Sequence, residues 1–140
     1  MLILIAEDDA LNAFMMEQSL LWAGHSIMGP AGTMAEALAL IGQRRPDLAL
    51  IDINLGSSTS GLDLARDICT RWNIPGLFVT GQIELARAHR AHALGVLPKP
   101  FTPQTLCRTV DYLQARLTSR AGGAEPPRRL ELFESRDAGN

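Results

Sequence analysis

Short apolar runs recur along this chain at Leu2–Ala6, roughly His25–Met28, Leu48–Ile51, Leu77–Thr80 and Val96–Pro98, and they are continuous rather than alternating. A strand with one wet face alternates apolar and polar residues, whereas a strand covered on both faces is apolar throughout. Between the runs lie longer stretches of helical period: Leu11–Ala23, Met34–Gln43, Gly61–Trp72, Glu84–Leu94 and a fifth headed by Thr102 and Pro103. Strict alternation of this kind predicts an α/β domain, five parallel strands with helices packed on both faces.

The punctuation agrees with the periods. Leu11, Phe14, Met15, Leu21 and Trp22 fall at helical spacing along the first helix, which stops at Gly24, a natural C-terminal cap. Thr33 and Glu36 have capping-box spacing ahead of the second helix. Thr102 followed by Pro103 puts a capping hydroxyl and an N1 proline at the head of the fifth.

A chain of 140 residues suits one domain. We place it at 1–118 and expect 119–140 to be a flexible C-terminal tail, because Ser119-Arg-Ala-Gly-Gly-Ala-Glu-Pro-Pro-Arg-Arg cannot build a core. The alternative is that Leu130, Leu132 and Phe133 dock on a partner or on the domain, although a few apolar residues in such an end more often do nothing specific. The formal charge of −2 excludes a strongly basic nucleic-acid binder and a polyacidic tail protein. Partners are therefore expected to be proteins, with no direct nucleic acid contact. Cys69 and Cys107 form no CxxC pair and have no histidine at ligand spacing, and read as reduced thiols of a cytosolic protein. The apolar opening runs straight into Glu7-Asp8-Asp9 without a basic lead. No apolar stretch reaches the roughly 18 to 20 residues a membrane span needs. The expected location is the cytoplasm, with no membrane association.

In an open parallel sheet, ligands bind beyond the carboxyl ends of the strands. The first strand here ends in Glu7-Asp8-Asp9, the third in Asp52, the fourth in Thr80-Gly81 and the fifth in Lys99-Pro100. Each feature alone is more often a solvated loop charge, a surface lysine or a strand-end hydroxyl satisfied by backbone. Together they bring acid, acid, hydroxyl and amine to one rim. Clustered carboxylates repel one another unless a cation sits among them. An all-oxygen set made of Glu7, Asp8 and Asp52 suits Mg2+ better than zinc. One carboxylate beside such an ion is a nucleophile toward phosphorus. Asp52 is that candidate, Lys99 the charge clamp and Thr80 the hydroxyl that meets the new phosphoryl group, with Gly81 leaving room for its approach.

These residues resemble the receiver domains of two-component response regulators over roughly residues 2–118. Leu-Ile-Ala-Glu7-Asp8-Asp9 is similar to the family's acidic opening and Leu50-Ile-Asp52-Ile-Asn54-Leu to its phosphorylated strand end. Phe78-Val-Thr80-Gly81 is similar to its switch hydroxyl and Lys99-Pro100-Phe101 to its lysine motif. The resemblance implies a CheY-like, flavodoxin-like doubly wound fold with strand order 2-1-3-4-5. It implies Mg2+ bound by Asp8, Asp52 and the backbone carbonyl of Asn54, with Glu7 acting partly through water, and a cis bond between Lys99 and Pro100. It implies a phosphoryl donor that is a phosphohistidine on a sensor histidine kinase or phosphotransfer protein, and a downstream protein target. The Phe-x-Thr-Gly sequence is similar to that of a single-domain subfamily often linked to HWE-type kinases.

Two positions depart from the family's pattern. Val96 stands where many receivers carry an aromatic, and the Gly- and Ser-rich loop after Asp52 has no early proline. Signal transmission is then expected to run through backbone shifts of the Gly81–Leu85 loop and the fourth helix. The expected output face is the fourth helix, fifth strand and fifth helix, where Arg87, His89, Arg90 and His92 sit close together. Asn54 and Gln82, each two residues beyond a site residue, are expected to modulate phosphoryl lifetime. With little chain after the fifth helix, output by protein contact or phosphorelay is expected, from a monomer or weak dimer without enzymatic turnover beyond its own phosphorylation and dephosphorylation. The alternatives are an aspartate-nucleophile phosphatase, which normally carries a second aspartate where this chain has Asn54, and a pseudo-receiver that is never phosphorylated.

Overall fold

The structure, a computed structural model, describes residues 1–56, 58–118 and 125–133. Its sheet is built from β1 (Leu2–Ala6), β2 (Ser26–Ala31), β3 (Leu48–Ile51), β4 (Gly76–Thr80), β5 (Gly95–Pro98) and β6 (Glu131–Leu132). The order is β2-β1-β3-β4-β5-β6, so the five parallel strands have the order 2-1-3-4-5. β6 is added antiparallel at the β5 edge. Five helices connect or follow the strands: α1 (Ala10–Trp22), α2 (Met34–Gln43), α3 (Ser60–Trp72), α4 (Ile83–Ala88) and α5 (Pro103–Leu117).

Burial explains why the strand runs are continuous. Ile3 and Ile5 of β1, Leu48 and Leu50 of β3, and Leu77 and Val79 of β4 face α1 and α5, where they meet Met16, Leu20, Leu106 and Val110. Leu4, Ala6, Ile51 and Phe78 face the other way, toward Ala37, Ile41, Leu64 and Ile68 of α2 and α3. In β1, β3 and β4 every second residue thus enters one of two cores and no position is left for solvent, whereas the edge strand β2 exposes Ser26, Gly29 and Pro30. The capping expectations hold. Glu36 N–H donates to Thr33 Oγ1 at 3.1 Å and Thr105 N–H to Thr102 Oγ1 at 3.1 Å.

Three features differ from what period and composition convey. Most of the apolar residues at helical spacing in α1 lie outside: Phe14 is 59% and Trp22 93% exposed, while Ala13, Met16 and Leu20 are buried. Leu11 through Trp22 offers apolar residues on more than one face, and the sheet selects the face carrying the small Ala13, which allows close approach. The fourth helix is shorter than its sequence period; α4 ends at Ala88 and the chain continues as a single 3-10 turn at Arg90–His92. Finally, residues 125–133 of the expected tail are ordered against the domain. Leu130 and Phe133 are buried, one in each core, and Glu131 and Leu132 pair with Val96 and Gly95. Composition missed this because three apolar residues, Leu130, Leu132 and Phe133, suffice once a parallel sheet offers an unpaired edge. The rest of that tail lies outside the described residues. Among the described residues, no helix is long and apolar enough to cross a membrane.

Candidate functional site

Strand register builds the site. Ala6 lies opposite Ile51, so Glu7 and Asp52 leave the sheet side by side, and the Asp52 amide donates to the Ala6 carbonyl at 2.9 Å. Thr80 lies opposite Pro98, and the Lys99 amide donates to the Thr80 carbonyl at 3.0 Å. The peptide bond between Lys99 and Pro100 is cis, as the resemblance implies.

The Lys99 ammonium donates to Glu7 Oε1 at 2.6 Å and to Asp52 Oδ2 at 2.8 Å. Both carboxylates are buried and Lys99 is largely so. The second oxygen of each carboxylate takes a backbone N–H, from Asp9 to Glu7 Oε2 at 3.2 Å and from Asn54 to Asp52 Oδ1 at 3.3 Å. The exposed Asp8 completes the cluster, with carboxylate oxygens of Glu7, Asp8 and Asp52 within 4.8 Å of one another. Asp9, by contrast, is spent on the helix; its side chain accepts from the Asn12 amide at 3.0 Å as the N-cap of α1.

Across the rim, buried Thr80 accepts the Gln82 N–H at Oγ1, 3.1 Å away, and Gln82 Nε2 donates to Asn54 Oδ1 at 2.7 Å. Thr80 and the loop after Asp52 are therefore linked through one side chain. A methyl group at Gly81 would meet nothing within 4 Å, so the space beside Thr80 is open. Val96 is fully buried in the core facing α3 and α4.

Charge explains why this arrangement suits a bound cation. Burial pushes the Glu7 carboxyl up to about 7; the neighbouring Asp52 charge adds to this and the bond from Lys99 opposes it. Burial alone would lower the Lys99 amine, but its bonds to Asp52 and Glu7 outweigh that and hold it above its ordinary value. One ammonium is shared by two buried carboxylates with a third alongside. The donor set is all oxygen and carries surplus negative charge, which fits a hard divalent ion of the magnesium type.

A pH dependence follows for the metal-free protein. Unfolded Glu7 releases its proton near 4.5 but folded Glu7 keeps it to about 7. Folding therefore binds a proton in that window, and the Glu7 contribution to stability, full below about pH 4.5, is lost as pH rises through about 7. Urea midpoints in chelator-treated buffer are expected to fall as pH is raised across this window, and Glu7→Gln is expected to flatten the slope. An equally steep slope in the variant would assign it to another group.

Sequence reading missed two features of the site. One is Gly61, whose Cα sits so close to the backbone of Asp52 and Ile53 that no side chain fits. The other is Arg129, whose Nη2 donates to the Pro100 carbonyl at 2.9 Å and, more weakly, to the Pro98 carbonyl at 3.4 Å, on either side of Lys99. A glycine at the start of a predicted helix was the only signal for the first, and a basic residue in a compositionally loose segment for the second.

With this geometry established, comparison with known proteins is informative. The family model for the response regulator receiver domain matches residues 3–111. The phyllosphere-induced regulator PhyR of Methylorubrum extorquens is 33% identical over 110 residues, covering 77% of this chain and 41% of that protein. The transcriptional regulatory protein PdtaR of Mycobacterium tuberculosis is 32% identical over 117 residues, covering 81% of this chain and 57% of that protein. The chain thus spans about half the length of these curated relatives. Among solved structures, the signal receiver domain of a modulated diguanylate cyclase from Desulfovibrio desulfuricans superposes with TM-score 0.73 at 30% identity, covering 84% of this chain and 96% of that one. The receiver domain of PhyR from Erythrobacter litoralis gives 0.72 at 29% identity, covering 84% and 88%.

Proposed function

Because this chain belongs to the response regulator receiver domain family, we propose that it is a phosphorylation-dependent response regulator of a two-component system, with Asp52 as the phosphoacceptor. The observation that supports this most is the Lys99 ammonium bonded at once to Glu7 and Asp52, with Asp8 within carboxylate reach.

An oxygen of the Asp52 carboxylate attacks the phosphorus of a phosphohistidine on a sensor kinase or phosphotransfer protein. The P–N bond breaks, its electron pair stays on the imidazole nitrogen, and that nitrogen takes up a proton. Asp8, Asp52 and the Asn54 backbone carbonyl would hold a magnesium ion, with Glu7 acting partly through water, and the bound ion would supply neutralising charge for the phosphoryl oxygens. Lys99 follows the new charge from the carboxylate to the phosphoryl group. The Thr80 hydroxyl turns from the Gln82 amide to donate to a phosphoryl oxygen, drawing the Thr80–Gln82 turn inward. Asn54 and Gln82, already bonded to each other over the mouth of the site, stand where an attacking water must pass and so set the lifetime of the acyl phosphate. Leu11 and Phe14, exposed on α1, the helix that follows Glu7-Asp8-Asp9 in the chain, offer apolar contact for the donor protein.

The test is direct. The protein is incubated with magnesium and a small acyl phosphate, and its intact mass is followed. One added phosphoryl group that depends on magnesium is expected; an unchanged mass across a range of donor concentrations would overturn the reading in favour of an unphosphorylated interaction module.

A further inference from the structure

Residues 129–133 touch the loop that carries Lys99 and the β5 edge at the same time. At one end, Arg129 grips the carbonyls of Pro98 and Pro100, the residues flanking Lys99. In the middle, Glu131 and Leu132 pair antiparallel with Val96 and Gly95, and the Phe133 amide donates to the Leu94 carbonyl at 2.9 Å. Arg87 of α4 closes on Glu131 through two parallel bonds, Nε to Oε2 and Nη2 to Oε1, both 2.8 Å. Gly95 is fitted to this segment: the three atoms nearest to a methyl group placed there all belong to Glu131 and Leu132, and the Glu131 carbonyl oxygen would overlap it.

A strand of two residues held by two buried side chains and exposed bonds is detachable, because local elements with few buried contacts open at a fraction of the cost of global unfolding. Its grip at Arg129 is on the backbone whose ammonium group is bonded to Glu7 and Asp52. A shift of the Lys99 backbone moves the two carbonyls that Arg129 holds on either side of it. Where such a shift links the two events, each biases the other by the same factor.

We propose that residues 125–133 form a strap that covers the β5 edge while Lys99 bridges Glu7 and Asp52, and that comes off when a phosphoryl group on Asp52 draws Lys99 toward it. This rests on the reading of Asp52 as the phosphoacceptor. The uncovered edge presents the unpaired backbone groups of Leu94 to Val96 beside the Arg87 guanidinium. It fits an extended strand of a partner protein that places an acidic side chain opposite Arg87 and apolar side chains on either side of it, which is strand addition with the strap as the internal competitor.

Hydrogen exchange at the Phe133 amide reads the strap directly in the full chain. Beryllium trifluoride, a stable phosphoryl mimic, added with magnesium is expected to speed that exchange at least about fivefold, the lower end of the coupling usual between linked sites. Gly95→Ala is expected to speed it without the mimic and, by reciprocity, to raise phosphoryl uptake from a small acyl phosphate by a similar factor; Phe133→Ser serves the same purpose should the first variant fold poorly. Arg129→Ala removes the grip on the loop but leaves the pairing, so the response of Phe133 to the mimic is expected to shrink below about twofold. Unchanged or slower Phe133 exchange on adding the mimic, in a protein that does take up phosphate, overturns the strap. A protein whose strap detaches in Gly95→Ala but which never takes up phosphate overturns the phosphoacceptor reading instead.

Discussion

Replacing Asp52 by asparagine is expected to abolish phosphoryl uptake altogether while leaving the domain at least as stable as before. The amide has nearly the shape of the carboxylate, and its oxygen can still accept from either the Asn54 amide or the Lys99 ammonium, which now bond Asp52 at 3.3 and 2.8 Å. What is lost is the anionic oxygen that attacks phosphorus, and no neighbouring group replaces it: Glu7 is occupied by Lys99 and the Asp9 amide, and Asp8 is solvent-exposed. The stability expectation comes from charge. Two buried carboxylates share one ammonium, and removing one of them relieves repulsion that helps hold Glu7 protonated to about pH 7. A change between zero and about +1 kcal/mol is expected at neutral pH in metal-free buffer. Intact mass and urea titration on the same preparation check both halves. A phosphoryl group still present in Asp52→Asn would move the acceptor to another residue, and a loss of several kcal/mol would mean that the carboxylate is structural.

Gly61→Ala is expected to be the most damaging small substitution in the chain. A methyl group there would overlap the Asp52 carbonyl oxygen and lie 2.7 Å from both Ile53 Cα and the Ile53 carbonyl oxygen. All three are backbone atoms, so no rotamer change relieves the overlap. The Gly61 amide also donates to the Ile53 carbonyl at 2.9 Å, which ties the start of α3 to the strand end carrying Asp52. Forcing the two apart is expected to cost about 3 kcal/mol, about 10 °C in thermal midpoint for a domain of this size. Phosphoryl uptake should fall with it, since Asp52 rides on the displaced segment. Gly81→Ala is the matched control, because nothing lies within 4 Å of its added methyl; a midpoint close to the wild type is expected there. Calorimetry on the pair separates close approach from the general cost of losing a glycine. Equal midpoints would show that the β3–α3 loop has slack.

Much of this was legible because parallel α/β folds write themselves in one dimension. Strands covered on both faces must be apolar throughout, and helix starts need a side-chain oxygen, which Thr33 and Thr102 supply. The site was legible for a related reason. A polar residue at the end of one apolar strand has ordinary structural uses, but Glu7, Asp52, Thr80 and Lys99 end four strands whose carboxyl ends a parallel sheet brings to one rim. α1 was the failure: with apolar residues on more than one side, period alone could not say that Phe14 and Trp22 face outward while Ala13 faces in. The tail was a failure of another kind, since low-complexity composition argues against a core but says nothing about addition to a core already built.

The order of apolar and polar residues along the chain by itself determined the five parallel strands, the helices between them and the identity of the groups at the strand ends, because burial on two faces and helix capping are local demands on residue type. Only the tertiary structure decided which carboxylates share Lys99, how closely Gly61 backs Asp52, and that residues 130–133 close the β5 edge with Arg129 on the Lys99 loop. Those are contacts between residues far apart in the chain, and register and packing set them at a scale of tenths of an ångström that no pattern of residue types encodes.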